Sequence, residues 1–272
     1  MRFITTEPPF RFRAGKRPLL ISMPHVGTHV PPQLAARLTD EARQVPDTDW
    51  HLERLYDFAD ELGASVLVAT HSRYVVDLNR PPDGASLYPG QSVTGLCPVD
   101  TFDDTPLYPA GDVPDDVEIA ERREAIWQPY HRQLADELAR IKAQHGHALL
   151  WDAHSIRAEI PWLFEGRLPD LNIGTADGRS ADAAIAQAVV DAAARAPAFT
   201  HVLNGRFKGG YITRQYGRPA GNVHAVQLEM CQCLYMREAP PWNYEPEQAA
   251  RVQPVVRAMV EAALDASQRL YG

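Results

Sequence analysis

Few features of this sequence point to a secreted or membrane-bound protein. Its 272 residues include three cysteines, Cys97, Cys231 and Cys233, and so small and odd a number argues against a disulfide framework. The first residues lack the apolar h-region of a secretory signal peptide, and no apolar run approaches the roughly 18 residues that a membrane span needs. These absences predict a cytoplasmic protein whose cysteines are small buried residues rather than redox or metal groups.

Several common ligand-binding signatures are also missing. The formal net charge is −8 and no Lys/Arg-rich run is present, so we expect no nucleic-acid partner. The sequence has no G-x-S-x-G, Walker A or G-x-G-x-x-G motif, which excludes the usual serine hydrolases and the usual nucleotide-binding proteins. An acidic protein can still bind a small acidic molecule through a few placed arginines.

The sequence does contain an alternation of apolar strands and helices. Its hydrophobic content of 45% and charged content of 23% are typical of a globular domain, and we expect one domain over residues 1–272. Apolar runs and helical spacing predict an α/β sheet with helices on both faces. The predicted strands are 19–23, 65–69, 74–78, 147–151, 201–203 and 225–230, and the predicted helices are 32–38, 50–62, 117–144, 181–196 and 245–270.

Local signals suggest how three of these helices begin or bend. Asp49 and Ser180 precede predicted helices and are residue types that cap helix N-termini. Pro129 lies inside the helix predicted at 117–144 and is expected to kink or split it.

Residues 81–114 form a long connection that holds many of the 23 prolines. Long stretches without regular structure inside a compact domain are usually functional or disordered. We predict an ordered active-site flap because the stretch carries several apolar and aromatic residues, namely Leu87, Tyr88, Phe102, Leu107 and Tyr108.

Polar motifs lie at the ends of the predicted strands. His25, Asn79, Arg80 and His154 fall just past strand ends, and Glu229 lies near the end of another. Ligands bind at the carboxyl ends of the strands in open α/β sheets. We therefore expect these five side chains to meet at one edge of the sheet.

His25 and His154 are the predicted metal ligands. A catalytic zinc site usually takes three protein ligands from histidine and carboxylate side chains. Asp49 is our first choice for the third ligand, with Asp47 and Glu53 as alternatives, although Asp49 could instead serve only as a helix cap. The expected ion is Zn²⁺ or another divalent transition metal.

Two further residues lie close to these histidines in the sequence. Asp152 is two residues before His154, where it could orient the imidazole or bind the metal itself. His29 has the i, i+4 spacing to His25 that a helix can use for zinc, but Gly27 and the following prolines argue against a helix there. We interpret His29 as a pocket wall.

The arginines are candidates for binding a carboxylate. Asn79 and Arg80 lie between a predicted strand and Pro81, and an arginine fixed in this way can hold a carboxylate through two hydrogen bonds. The alternative is that Arg80 forms a surface salt bridge. Arg73 lies nearby in the sequence and could assist Arg80 or simply be solvated. The loop at 208–214 contains two glycines, which would allow its backbone to approach a ligand closely. The alternative is that this loop is an ordinary turn. Within it we favour Arg214 over Tyr211 as a substrate ligand.

Glu229 is the candidate for proton transfer. It lies in the otherwise apolar run 225–230, where burial of an unpaired carboxylate is costly and raises its pKa toward the range useful in catalysis. The alternative is a glutamate that faces solvent at a strand edge.

The set of motifs resembles the N-formylglutamate amidohydrolase family over about residues 5 to 270. Its most specific part runs from Asn79 to Gly95. The residues that carry the resemblance are Pro24-His25-x-Gly27, Pro46-Asp47-Thr48-Asp49-Trp50-His51, Ser72 to Pro81, Leu87-Tyr88-Pro89-Gly90-Gln91, Thr94-Gly95-Leu96-Cys97-Pro98, Asp152-Ala153-His154-Ser155, Phe207 to Thr213 and Gln227-Leu228-Glu229.

The resemblance implies a phosphorylase/hydrolase-like α/β/α sandwich with a mixed, mostly parallel sheet, related to the zinc carboxypeptidases. Those relatives place a glutamate ligand three residues after the first histidine, where this sequence has Thr28, so another carboxylate must replace it. The implied activity is metal-dependent hydrolysis of N-formyl-L-glutamate to formate and L-glutamate, the last step of a histidine degradation pathway. Glu229 would be the general base and Asn79-Arg80 would hold a substrate carboxylate.

Two other functions fit the same residues. One is deacylation of another N-acyl amino acid, which a panel of substrates separates from deformylation. The other is a non-catalytic module that binds zinc or an amino acid, against which Glu229 argues because binding alone needs no base. The sequence carries no information on the oligomeric state.

Overall fold

A mixed sheet forms the centre of the computed structural model, which describes residues 3–85 and 94–272. Its seven strands in the described chain are β1 (Phe10–Arg13), β2 (Leu19–Met23), β3 (Ser65–Ala69), β4 (Ala148–Ile156), β5 (Leu171–Gly174), β6 (His201–Leu203) and β7 (Val223–Cys231). Their order across the sheet is β1-β3-β2-β4-β7-β5-β6. The pairings β1–β3 and β5–β7 are antiparallel and the others are parallel, as predicted.

Helices connect most of the strands. They are α1 (Pro32–Ala35), α2 (Leu52–Leu55), α3 (Asp116–Arg122), α4 (Gln128–His145), α5 (Ala183–Ala194), α6 (Tyr211–Tyr216) and α7 (Pro246–Tyr271). Short 3₁₀ segments occur at Ala42–Gln44, Asp57–Ala59, Pro219–Gly221 and Gln232–Leu234. None of the helices in the described residues has the length and apolar character needed to cross a membrane.

Two apolar cores lie on opposite faces of the sheet. One packs α5 and α7 against β4 residues such as Trp151 and Ala153. The other packs α4 against the alternate β4 residues Ala148 and Leu150. Successive residues of a strand point to opposite faces, so continuous apolar runs supply both cores. The predicted α/β class with helices on both faces is confirmed.

The predicted helix at 50–62 is wrong, although the apolar residues that suggested it, such as Leu52, Leu55 and Phe58, are buried in the core. His51 has a left-handed backbone with φ of 62°, and its Nε2 lies 2.7 Å from the carbonyl of Trp242. The chain therefore forms only α2 and the 3₁₀ turn at Asp57–Ala59. Asp49 does not cap a helix, because its carboxylate is turned toward β4.

The predicted cap of the alanine-rich helix lies two residues further along. The side chain of Asp182, not Ser180, caps α5 and accepts a hydrogen bond from the backbone N–H of Ala184 at 2.8 Å. The hydroxyl of Ser180 instead donates to the carbonyl of Ala225 on β7. A tertiary contact thus replaces the local cap.

Pro129 does interrupt the long helix, as predicted. A π-helical turn at Arg123–Trp127 joins α3 to α4, and Pro129 is in the first turn of α4. Since proline has no N–H, the chain loses one helical hydrogen bond here and the wider turn accommodates the change.

The predicted strand at 74–78 is wrong. The backbone turns there, with the N–H of Val75 donating to the carbonyl of Ser72 and the N–H of Asp77 donating to the carbonyl of Leu96. Val75 and its apolar neighbours are buried in the core beside α4. Burial, rather than pairing in the sheet, explains this apolar run.

The strands β4 and β7 are longer than predicted, and short elements were missed. β4 continues to Ile156, so His154 lies within the strand rather than past its end. Sequence patterns also missed β1, β5 and α6, each of six residues or fewer.

The described parts of the 81–114 connection pack against the protein. Leu107 and Tyr108 are buried in the core beside α4, and Phe102 is buried near the end of β4. Leu87 and Tyr88 of the predicted flap lie outside the described residues.

Candidate active site

Strand register brings four polar side chains to one face of the sheet. In the parallel pairing of β4 with β7, Asp152 lies opposite Gln227 and His154 lies opposite Glu229. Residues two apart on a strand point to the same face. This is the face of Ala148 and Leu150, so the apolar core beside α4 gives way to a polar site at the carboxyl ends of these strands.

Two loops complete a buried cluster of three possible metal ligands. His25 lies two residues after the end of β2, and its carbonyl accepts a hydrogen bond from the N–H of Asp49 at 3.0 Å. Asp49 Oδ2 lies 3.3 Å from His154 Nδ1 and 3.9 Å from His25 Nδ1. The candidate ligand atoms of these three residues lie within 4.8 Å of one another, and all three side chains are buried.

Each imidazole meets a buried carboxylate on its other side. His25 Nε2 lies 2.7 Å from Asp77 Oδ1. His154 Nε2 lies 3.2 Å from Asp152 Oδ1 and 3.0 Å from Asn79 Nδ2. Metal-binding histidines in proteins commonly donate their outer ring N–H to such a carboxylate.

These residues fit a metal ion. Asp152 Oδ1 is buried and accepts no hydrogen bond from the described part of the chain. It lies 3.2 Å from His154 Nε2, and the other ring nitrogen, Nδ1, faces Asp49 within the cluster. Burial is the largest influence on His154 and opposes its charge, yet Asp152 and Asp49 raise its pKa well above the usual value. Such negative surroundings suit a cation.

The alternative third ligands have other contacts. Asp47 is buried, but its Oδ2 accepts hydrogen bonds from the hydroxyl of Tyr74 at 2.6 Å and the N–H of Phe102 at 2.8 Å. Glu53 forms an ion pair with Arg11 outside the cluster. Among the described residues, neither belongs to the three-residue group of possible ligands.

Asp77 connects the three possible metal ligands to the arginines. It accepts hydrogen bonds from Arg73 Nη2 at 2.6 Å and from the N–H of Asn79 at 2.8 Å, in addition to its contact with His25. Burial acts to raise the pKa of Asp77, but the charges of Arg73, Arg80 and His25 hold it well below its usual range. Asp77 is therefore a carboxylate that positions both parts of the site.

A cavity of about 80 Å³ opens beside the cluster. His25, His154 and Glu229 line one side of it, with Asn79 and Arg80 next to them. The structure thus brings together five of the predicted site residues. The lining also includes Arg73, Arg206 and Phe207. From the sequence, Arg73 was expected only to assist Arg80, and Arg206 was not predicted as a site residue.

Glu229 is held in the cavity wall. Its Oε2 accepts a long hydrogen bond of 3.5 Å from Gln227 Nε2. Burial raises the pKa of Glu229 to about 8, against the opposing charge of His154. A carboxyl group with a pKa near neutrality can both accept and return a proton.

Arg80 is fixed in place, as its sequence context suggested. Its Nε donates to the carbonyl of Thr94 at 2.9 Å and its Nη2 to the Thr94 hydroxyl at 3.0 Å. Asn79 is fixed as well, because its Oδ1 accepts from the N–H of Ile212 at 2.8 Å. Both side chains are thus oriented before any ligand binds.

The glycine loop before α6 packs closely on Asn79. A Cβ atom at Gly210 would lie 2.2 Å from Asn79 Nδ2, so no larger residue fits without displacing the amide. The N–H of Gly210 also donates to Gln227 Oε1 at 2.7 Å. This loop therefore fixes side chains of the site by close backbone approach.

Two other predicted residues lie elsewhere. Arg214 is on α6, its Nε donates to the carbonyl of Gly209 at 2.7 Å, and in the described part of the chain it does not line the cavity. Its role as a substrate ligand stays a prediction. His29, interpreted as a pocket wall, packs on His71 with ring centroids 4.8 Å apart and does not line the described cavity either.

Comparisons with known proteins identify the family of this chain. The sequence profile of the family described as N-formylglutamate amidohydrolase matches residues 17–236. An N-formylglutamate deformylase of Pseudomonas aeruginosa is 53% identical over 260 residues, which cover 96% of this chain and 97% of that protein. An N-formylglutamate deformylase of Pseudomonas putida is 50% identical over 253 residues, covering 93% of this chain and 94% of that protein.

The fold is also found in solved structures. The crystal structure of N-formylglutamate amidohydrolase from Ralstonia eutropha superimposes with a TM-score of 0.80 at 24% identity, covering 97% of this chain and 98% of that one. At this identity the likeness shows the fold, while the two sequence comparisons show the relationship. The chain belongs to the N-formylglutamate amidohydrolase family.

Proposed function

We propose that this protein is an N-formylglutamate deformylase that hydrolyses N-formyl-L-glutamate to formate and L-glutamate with a divalent metal ion. The observation that carries the proposal is the buried group of His25, Asp49 and His154 beside Glu229 in an arginine-lined cavity. Relatives that cover nearly the whole chain are named for this activity.

His25, Asp49 and His154 would hold the metal, for which we propose Zn²⁺. Two imidazoles and one carboxylate are a common ligand set of catalytic zinc, and Asp77 and Asp152 would orient the imidazoles. When bound, the ion supplies Lewis-acid chemistry that polarises the formyl carbonyl and lowers the pKa of water toward ~7.

Glu229 would transfer the proton. As a carboxylate it accepts a proton from the attacking water, and as the acid it returns one to the leaving nitrogen. Its raised pKa favours this exchange near neutral pH. Gln227, whose Nε2 reaches Glu229 Oε2 and whose Oε1 is held by the N–H of Gly210, keeps the carboxyl group in place.

Arg80 would bind a carboxylate of the substrate, with Asn79 in support. Asn79 contacts His154, and Arg80 Nη1 lies 3.9 Å from Asp77, which contacts His25, so a carboxylate held here would lie close to the proposed metal ligands. Arg73, buried and bound to Asp77, adds positive charge to the same wall of the cavity. The expected ligand is thus a small acidic amino-acid derivative.

The remaining assignments are proposals of the same kind. We propose one domain over residues 1–272, with the 81–114 connection as a flap at the active site. A cytoplasmic location and the absence of a nucleic-acid partner stay predictions from the sequence.

Formate release from N-formyl-L-glutamate tests the proposal. Matched samples are assayed as purified, after treatment with a chelator, and after zinc is supplied again. We expect turnover that disappears with the chelator and returns with the metal. No formate with any divalent metal would overturn the proposal, and formate that the chelator does not affect would overturn the role of the metal.

A further inference from the structure

The lining of the cavity includes a partly exposed arginine that has no assigned role, Arg206. Arg206 and Phe207, from the connection between β6 and α6, line the cavity together with Leu163 from the connection between β4 and β5. Arg206 Nη2 donates to the carbonyl of Leu163 at 3.2 Å, and its guanidinium carbon lies 5.4 Å from the centroid of the Phe207 ring. These contacts orient the arginine.

The connection that carries Arg206 is anchored at both ends. The N–H of Asn204 donates to the carbonyl of Ile173 at 2.7 Å, and Asn204 Oδ1 accepts from the N–H of Thr175 at 2.8 Å. Further along, the carbonyl of Lys208 accepts from the N–H of Ala176 at 2.6 Å. Because β5 and the residues that directly follow it hold the loop on both sides of Arg206, this arginine is positioned in advance of binding.

The proposed substrate has two carboxylates, and the cavity has arginines in two places. Arg80 Nη1 lies 3.9 Å from Asp77 Oδ2, and Asp77 Oδ1 contacts His25, so Arg80 lies on the side of the three possible metal ligands. The α-carboxylate is attached to the carbon that bears the formyl amide and must also lie near that cluster. The γ-carboxylate lies two methylene groups further away and needs a cation on another wall.

We propose that Arg206 binds the γ-carboxylate of the substrate and thereby sets the specificity for glutamate. This inference rests on the proposed deformylase function. The methylene groups of the substrate would pass the apolar wall formed by Leu163, Phe207 and Ile156, which lines the same cavity. A guanidinium matches a carboxylate in shape and can bind it through two parallel hydrogen bonds.

A pair of substrates isolates this contact. N-formyl-L-glutamine has nearly the same shape as N-formyl-L-glutamate but lacks the γ-charge. We expect the wild-type enzyme to prefer the glutamate substrate by about 100-fold in kcat/KM, as expected when one charge-assisted contact is lost. We expect Arg206→Gln to lower kcat/KM for N-formyl-L-glutamate by about 100-fold and to change that for N-formyl-L-glutamine by less than about 3-fold.

Two further variants complete the test. Arg206→Lys keeps the charge and the aliphatic stem, so it should fold in the event that Arg206→Gln does not, and its loss should be about 10-fold and confined to the glutamate substrate. Arg195→Gln, at the exposed end of α5, is the matched control and should leave both substrates unaffected. Thermal unfolding and metal content are measured for each variant.

The outcomes separate this inference from the proposed function. If the wild-type enzyme releases no formate from N-formyl-L-glutamate, the proposed function fails and the inference fails with it. If the wild type is active but the Arg206 variants lose both substrates equally, Arg206 has only a structural role and the inference alone is overturned. A selective loss in Arg214→Gln with normal Arg206 variants would also overturn it.

Discussion

His154 and Glu229 are partners in register on the neighbouring parallel strands β4 and β7. Neighbouring strands in a sheet lie about 4.8 Å apart, so this register sets the separation of a proposed metal ligand and a proposed base. The backbone hydrogen bonds between β4 and β7, rather than a flexible loop, fix the distance between these two side chains. Their roles can therefore be separated by substitutions that leave the strands intact.

Replacement of Glu229 tests its role as a base. Glu229→Gln keeps the shape and the contact with Gln227 but cannot accept a proton. We expect kcat to fall by about 10²–10⁴-fold with the metal content unchanged. Metal content and formate release are measured on the same preparation. Loss of the metal together with activity would show that Glu229 is a ligand instead.

The third metal ligand is tested by a pair of aspartates. We expect Asp49→Ala to weaken zinc binding by more than about 100-fold. Losing a residue that only hydrogen-bonds to a metal ligand typically weakens metal binding by about 10–100-fold, and losing a ligand itself should weaken it more. Asp47→Asn should retain zinc but lower the free energy of unfolding by about 1–3 kcal/mol, because Tyr74 and Phe102 donate to that carboxylate. Zinc titration and urea unfolding check both. The reverse pattern would assign the ligand to Asp47.

The close approach of Gly210 to Asn79 predicts a strong effect of one methyl group. In Gly210→Ala the new Cβ would meet the Asn79 amide at 2.2 Å, so the amide or the loop must shift. We expect kcat/KM to fall by about 100-fold, the loss typical of a small misplacement of substrate-positioning groups. Gly221→Ala, where a Cβ would meet only Lys142 Nζ at 3.8 Å, is the control. Equal activity of the two variants would contradict the prediction.

Stability is expected to fall as the pH drops because of His131. Its ring stacks on Trp127 with centroids 3.8 Å apart, and burial lowers its pKa to about 4. The unfolded chain has the usual pKa of about 6.5, so it binds the proton first and unfolding becomes easier between these two values. From about pH 7 to about pH 5 this histidine should lower the free energy of unfolding by about 2 kcal/mol.

Urea unfolding of a His131 variant at these two pH values checks the sign and the size. His131→Gln should reduce the difference between the two pH values, even though it loses stacking at both. His201→Gln, on the edge strand β6, serves as the control and should retain the wild-type difference. An unchanged difference in His131→Gln would show that the stacked histidine is not responsible.

The sequence predicted those site residues that lie close to strand ends. Apolar runs located β2, β4 and β7, and the carboxyl ends of such strands meet at one edge. His25, His154 and Glu229 could therefore be placed together before the structure was known. Strand-end position was sufficient because the sheet itself brings these residues together.

Other parts of the site depend on contacts that are remote in sequence. Asp49 looked equally like a helix cap, because local capping chemistry and metal binding favour the same residue type. The run at 74–78 looked like a strand because any buried segment favours apolar residues, whether or not it pairs with a neighbouring strand. Only the folded chain shows that Asp49 faces His154 and that Asp77 follows a turn.

Arg206 was missed for a related reason. The clearest sequence signal near Arg206 is the glycine pair at 209 and 210, and the prediction of a substrate ligand was made for Arg214, which follows this pair in the sequence. α6 begins at Tyr211 and directs Arg214 back toward the carbonyl of Gly209. The cation that lines the cavity comes before the glycines, and no local pattern distinguishes the two arginines.

The two-sided character of β4 restricts how this enzyme can change. Asp152 and His154 face the site while Trp151 and Ala153 face the core beside α5 and α7. Loss of a single residue within the strand would exchange its two faces. Asp152 and His154 would then point into the apolar core, and Trp151 would point into the catalytic cavity. Length variation among relatives should therefore be confined to the loops, and β4 should tolerate substitutions but neither insertions nor deletions.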